Sequence, residues 1–261
     1  MPELPDVEVF RRRIAASGLR RPITSVTLSS DLVKAGSAQK LRERLRGSEL
    51  ESTKRHGKNL FISISGGGWL LLHFGMTGDV AFFETKNEKP RYTKLLLEFS
   101  DGGYMAFENM RKLGRIGLVE DLDEFVSGHR LGPDVFAGSF GADELAAALD
   151  GRTGSIKAAL MNQEIVAGLG NLYTDEVLFH AGIHPGRATD VLSREEIGEI
   201  SRRIRQVLRM AIDRQIDAEE FPRTYMLPHR SKGGSCPKCG REWTITTIGG
   251  RTTYSCERDQ R

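Results

Sequence analysis

The sequence predicts an α+β chain of three parts: a β-rich N-terminal domain led by one helix, a helical domain, and a small cysteine module. Three observations carry that prediction. Between residues 24 and 119 lie the short runs ITSVTL, NLFISI, WLLLHF, DVAFF, KLLLEF, GYMAF and RIGLV, split by turn formers such as Gly66-Gly67-Gly68 and Asp101-Gly102-Gly103. Many short strands of this kind make an antiparallel sandwich or barrel. From about residue 141 to 215 the patterning turns helical, and Cys236, Cys239 and Cys256 all fall within the last 26 residues.

The elements follow in order. Pro5-Asp6 opens a helix over Val7 to Ala16, with Val7, Phe10 and Ile14 spaced by three and four and Gly18 as its stop. The strands come next, and residues 120–140, rich in Gly and Asp, read as a linker. ADELAAALD, SIKAALMNQ and NLYTDEVLFHAG read as helices, followed by a long one from Ser193 to Gln215. Ser193 and Glu196 form the Ser-x-x-Glu capping box that opens it. Domain limits of 1–130, 131–222 and 223–261 follow from these shifts in pattern.

The balance of 39% apolar and 28% charged residues over 261 positions is that of an ordinary globular protein. No apolar run approaches the ~18–20 residues of a membrane span, and the N-terminus carries no secretory pattern, so a cytoplasmic, nucleoid-associated monomer is expected. Net charge is +3, but its distribution is uneven: residues 1–60 hold 13 Lys/Arg against 7 Asp/Glu, residues 223–261 hold 8 against 3, and the middle is acidic. Basic ends suit a polyanion, although clustered solvated charge gives the same pattern. Cysteines confined to one end, two of them as Cys236-Pro-Lys-Cys239, look like a metal site rather than a disulfide framework.

Several segments together resemble one family. MPELPDVE at the start, His56-Gly57-Lys58, His73-Phe74-Gly75-Met76-Thr77-Gly78, the stretch from Asn162 to Tyr173, Ala181-Gly182-Ile183-His184-Pro185, and Cys-x2-Cys followed by Cys256 are similar to motifs of the formamidopyrimidine-DNA glycosylase and endonuclease VIII family. The resemblance implies an N-terminal antiparallel β-sandwich with its leading helix, a helix-two-turns-helix domain and a zinc-finger-like β-hairpin. It also implies a base-excision glycosylase with AP lyase activity on double-stranded DNA carrying oxidised bases or abasic sites.

What each site would do follows from the chemistry. An α-amino group, with a pKa near ~8, is a better unactivated nucleophile than a lysine near ~10.4. Pro2, freed by removal of Met1, would attack C1′ and form an iminium ion; Met-Pro by itself is a common way to open a chain. The resemblance makes Glu3 the general acid, a role that needs a carboxyl shielded from water, whereas a helix-start acid would serve only the helix dipole. Lys58 would touch phosphate and assist elimination, and Arg251, beside Gly249-Gly250, would bind the lesion phosphate; a solvated turn lysine is the plainer reading of Lys58.

Met76 with Asn109-Met110-Arg111-Lys112-Leu113-Gly114 corresponds to the wedge that fills the gap after base extrusion. Lys112 and Leu113 stand where the purine-repair branch typically carries Arg and Phe, and lysine lacks arginine's planar fork for reading the opposite base. Met76 also reads as an ordinary core methionine. Gly168-Leu169-Gly170-Asn171 would bring backbone amides close to phosphate, with the Asn171 side chain adding a hydrogen bond. The zinc ligands would be Cys236, Cys239, Cys256 and Asp259, the last in place of a cysteine and two residues from the chain end, where fraying is expected. His229 is the alternative fourth ligand. The opening looks like the oxidised-purine branch, but Ala211 to Cys236 is shorter than its lesion loop and better suits formamidopyrimidines or oxidised pyrimidines. A relative that binds damaged DNA without cutting it, and an N-terminal-proline enzyme of small molecules such as a tautomerase, are the rival readings.

Overall fold

A computed structural model describes residues 1–35 and 37–261. The chain forms two compact units, one of Met1–Pro2 with Asp6–His129, the other of Glu3–Pro5 with Arg130–Arg261.

The first unit is β-rich. Helix α1 spans Leu4–Ser17, and its last turn closes where Gly18 N donates to Ile14 O at 2.8 Å. Val7, Phe10 and Ile14 are buried, as their spacing predicts. The helix opens earlier than its Pro5-Asp6 signal. Eight further elements follow: β1 (Ile23–Leu28), β2 (Val33–Ala35), α2 (Ala38–Leu45), β3 (Leu50–His56), β4 (Asn59–Ile64), β5 (Trp69–His73), β6 (Gly78–Phe83) and β7 (Thr93–Phe99). Then come β8 (Tyr104–Asn109), β9 (Arg115–Val119) and α3 (Leu122–Gly128). They make a four-stranded sheet in the order β1-β7-β8-β6 and a five-stranded sheet in the order β2-β9-β5-β4-β3. All pairs are antiparallel except the short β2–β9 pair.

Leu60, Phe61 and Ile62 are consecutive and all buried, so β4 is covered on both faces. Phe125 of α3 supplies part of that cover, its ring 5.2 Å from Phe61. The stretch read as a linker therefore contains a helix, capped by Asp121, whose carboxylate accepts from Asp123 N and Glu124 N. That Asp-x-Asp-Glu start is a capping signal hidden among turn formers.

The second unit is helical: α4 (Ala142–Leu149), α5 (Ile156–Met161), α6 (Asn171–Ala181) and α7 (Arg194–Asp213). Ser193 caps α7 in a complete capping box with Glu196. On α7, Ile200, Ile204, Val207, Leu208, Ala211 and Ile212 form one apolar face, packed with Tyr173, Val177 and Leu178 of α6 in a common core. Gly182, at φ +71°, ends α6 in the left-handed region open to glycine. A two-stranded hairpin, β10 (Thr244–Ile248) and β11 (Arg251–Ser255), completes the unit. Among the described residues no helix is long and apolar enough to cross a membrane.

Candidate functional site

The N-terminus of α6 is occupied from within. Glu3 is buried, and its carboxylate accepts from Gly170 N at 2.8 Å, Leu172 N at 2.9 Å and Tyr173 N at 3.3 Å. These are the unpaired amides of a helix start, so charge and dipole favour an anion there. Gly170 is glycine for steric reasons: a Cβ at this position would overlap the Glu3 carboxyl. A Cβ on Gly168 would overlap Leu4, and its φ of +126° also favours glycine. The two glycines read as a phosphate cradle thus admit the chain's own third and fourth residues, Glu3 and Leu4. Leu4 N donates to Gly168 O at 3.2 Å. Glu3 stands directly before α1, but the helix start that its carboxylate caps is that of α6, which the sequence could not reveal. Pro2, half-buried, precedes it directly, and Met1 is 52% exposed.

The hairpin is held to the helices by a charged network absent from the sequence reading. Lys157 of α5 is fully buried and donates to Asp175 Oδ1 at 2.6 Å and Thr253 Oγ1 at 2.7 Å. Arg230 donates to Asp175 Oδ2 at 2.6 Å and stacks over the Tyr254 ring. Burial pushes the Lys157 amine down, opposed by the Asp175 charge. Three donors converge on the Thr252 carbonyl, from Lys157, Asn171 and Arg230. Asn171 thus spends its amide nitrogen on β11, and its Oδ1 is buried with no hydrogen-bond partner among the described residues. Next to this anchor Arg251 is exposed, following a Gly249-Gly250 turn with both φ values positive. A lysine inside the apolar pattern SIKAALM was the one available signal for the network.

The cysteines and Asp259 converge. One ligand atom from each of Cys236, Cys239, Cys256 and Asp259 lies within 4.8 Å of all the others. Asp259 Oδ2 is 3.2 Å from the Sγ atoms of Cys236 and Cys256, and the Cys239 and Cys256 sulfurs are 3.4 Å apart. A tetrahedral zinc with three sulfurs and one oxygen needs edges of about 3.6–3.8 Å, so these three edges fit with shifts of a few tenths of an ångström and no edge of the set needs to close by more than about 1 Å. His229, the alternative fourth ligand, is not among the four converging residues; its Nε2 pairs with Arg223 O at 2.8 Å. The chain end is not frayed either. Gln260 is buried, accepts from Cys256 N and donates to Ile183 O, while Arg261 N donates to Gly182 O. Without metal, burial pushes the Cys236 thiol up to about 12 and raises Cys256, while hydrogen bonds from Cys239, Cys236 and Cys256 lower Asp259.

In the first unit, Gly57 (φ +57°) and Lys58 form the two-residue turn between β3 and β4, where His56 pairs with Asn59. His73 ends β5. Its Nδ1 accepts from Gly75 N at 3.2 Å, and burial, with Arg115 and Lys58 nearby, pushes it down to about 4. Met76 is half-buried in the loop that follows, rather than a core side chain. Met110 and Leu113, apolar and about half exposed at 50% and 51%, project from the loop between β8 and β9, beside exposed Arg111 and Lys112. Lys112, at φ +54°, pairs with Asp31 at 2.7 Å, a partner the sequence did not suggest.

The chain thus combines a β unit of two sheets, a helical unit whose α6 start is capped by Glu3, and a cysteine hairpin. Residues 1–116 match the family described as formamidopyrimidine-DNA glycosylase N-terminal domain, and residues 131–221 match its H2TH domain. Formamidopyrimidine-DNA glycosylases of Pelobacter propionicus and Cereibacter sphaeroides are 33% and 35% identical over the whole of both chains. The crystal structure of the Lactococcus lactis enzyme non-covalently bound to DNA containing an AP site superposes with a TM-score of 0.90 at 27% identity, again over the whole of both chains. A complex of that enzyme with N7-benzyl-Fapy-dG DNA gives 0.88 at 27%, covering all of both chains. The chain belongs to the formamidopyrimidine-DNA glycosylase and endonuclease VIII family of base-excision DNA glycosylases.

Proposed function

We propose that the protein is a bifunctional DNA glycosylase and AP lyase, acting as a monomer on double-stranded DNA with oxidised bases or abasic sites. The observation that carries this reading is the Glu3 carboxylate, fixed by three backbone N–H groups directly after Pro2. Once Met1 is removed, the Pro2 nitrogen has a free lone pair. It attacks C1′ as the glycosidic bond breaks, and the Glu3 carboxylate takes the proton that the Pro2 nitrogen sheds and passes it to the departing base or the opening sugar. The positive iminium then acidifies the neighbouring carbon, so successive β- and δ-eliminations release both phosphates. Lys58 and Arg251 engage phosphate near the lesion. Met76, Arg111, Lys112 and Leu113 fill the gap left by the extruded nucleotide, and Asn171 holds the hairpin from which Arg251 projects.

Zinc is the fitting metal for Cys236, Cys239, Cys256 and Asp259, by the hardness and spacing of the donors. There it would supply a structural cross-link between the hairpin and the chain end. Borohydride trapping on an abasic-site duplex tests the catalytic reading. A covalent adduct is expected for the Met1-processed protein and none for a form that retains Met1. Tight DNA binding with no adduct from the processed protein would overturn it.

A further inference from the structure

Two loops carry the wedge residues, and both run between the sheets of the first unit. One leads from β5 in the five-stranded sheet to β6 in the four-stranded sheet; the other leads from β8 back to β9. Their ends are neighbours by register, since His73 pairs with Arg115 and Gly78 with Asn109. Asn109 is fully buried, and both ends of its amide bond to these loops. Its Nδ2 donates to Phe74 O at 2.7 Å, and its Oδ1 accepts from Leu113 N at 3.1 Å and Gly114 N at 3.4 Å. The first contact reaches across to the Met76 loop; the others close the turn in which Lys112 adopts a positive φ.

Further contacts bind the loops. Arg111 N donates to Thr77 Oγ1 at 3.1 Å. A Cβ on Gly75 would lie 2.5 Å from the Leu113 carbonyl, and one on Gly114 would lie 2.6 Å from Asn109 Nδ2. Backbones this close move as one body, because a packed contact of this kind has no slack. Yet the residues at the tips are exposed or half-exposed: Met76, Met110 and Leu113.

We propose that Asn109 is a positioning residue that couples the two loops, so that Met76 and Leu113 enter the duplex as one two-pronged wedge. The proposal rests on the reading that these side chains fill the gap left by base extrusion. The test uses the full-length, Met1-processed protein and a duplex with 2-aminopurine opposite a tetrahydrofuran abasic analogue. Fluorescence amplitude on binding reads the insertion equilibrium.

If the prongs act together, Met76→Ala and Leu113→Ala each lower that equilibrium about tenfold, and the double variant also lowers it about tenfold rather than a hundredfold. In an Asn109→Ala background the two substitutions become additive. Asn109→Asp covers the case in which the alanine variant fails to fold: it keeps the acceptor for the turn and removes only the donor to Phe74, and it too is expected to abolish coupling. Additive effects in the unmodified protein would overturn the proposal, as would coupling that survives both Asn109 variants. If neither Met76→Ala nor Leu113→Ala changes the signal, the wedge assignment itself falls, and the coupling with it.

Discussion

Gly170→Ala isolates the Glu3 clamp without touching Glu3. The backbone of Gly170 has φ −130°, which alanine adopts freely, so the substitution adds no backbone strain. Its Cβ would instead overlap Cδ, Oε1 and Cγ of Glu3 and push the carboxylate off the α6 amides. Hydrogen bonds from N–H to a charged acceptor contribute about 1.5–3 kcal/mol each, and three are at stake, partly recoverable by water. A loss of roughly 2–4 kcal/mol is expected, which lowers Tm by about 6–12 °C for a chain of this size. Glu3→Gln makes the comparison. Oε2 accepts from Gly170 and Tyr173 and Oε1 from Leu172, so a glutamine must turn its amide nitrogen toward one of these donors.

Single-turnover base release, measured well below both midpoints, separates the roles. If Glu3 is the acid, Glu3→Gln slows base release by about 10²–10⁴ and Gly170→Ala slows it as well. If Glu3 only caps the helix, stability falls and the rate does not. An alanine variant with unchanged Tm and full activity would refute the clamp altogether.

Other predictions follow from the same geometry. Asp175→Ala strands the Lys157 ammonium in the interior, a cost of about 3–5 kcal/mol, and hydrogen exchange should show β10 and β11 losing protection first. Asp259→Ala should lower bound zinc from one ion per chain in native mass spectrometry, while Asp259→Cys retains it; equal zinc in all three forms would exclude the carboxylate as a ligand. His73 binds its proton more weakly folded, at about 4, than unfolded, at ~6.5. Its contribution is therefore present above pH 6.5 and is lost as pH falls toward 4, by up to ~3 kcal/mol. Urea midpoints between pH 7.5 and 4.5 should fall less steeply in His73→Gln.

Much of the architecture was legible from local pattern. The α7 capping box, the apolar face of α1 and the turn-separated strands are short-range features, governed by residues within a few positions of one another. The helix over Leu122–Gly128 escaped because its Asp121 cap lies in a run of turn formers, and the parallel β2–β9 pair joins segments about eighty residues apart. The candidate site divides in the same way. Pro2, Glu3, Lys58, Arg251 and the cysteines stand out by residue type and motif, and so did Asp259 as a departure from the expected spacing.

The sequence alone determined the family and the order of the parts, and it singled out the side chains proposed for nucleophile, acid and ligand roles. It did so because those depend on residue identity and near-neighbour spacing. Only the tertiary structure decided what holds those side chains: that Glu3 caps α6, that Gly170 makes room for it, that Lys157 and Asp175 anchor the hairpin, and that Asn109 joins two loops. Each is a hydrogen bond or steric contact between residues remote along the chain. Such pairings leave no periodicity to read, since only the folded backbone brings them within 3 Å.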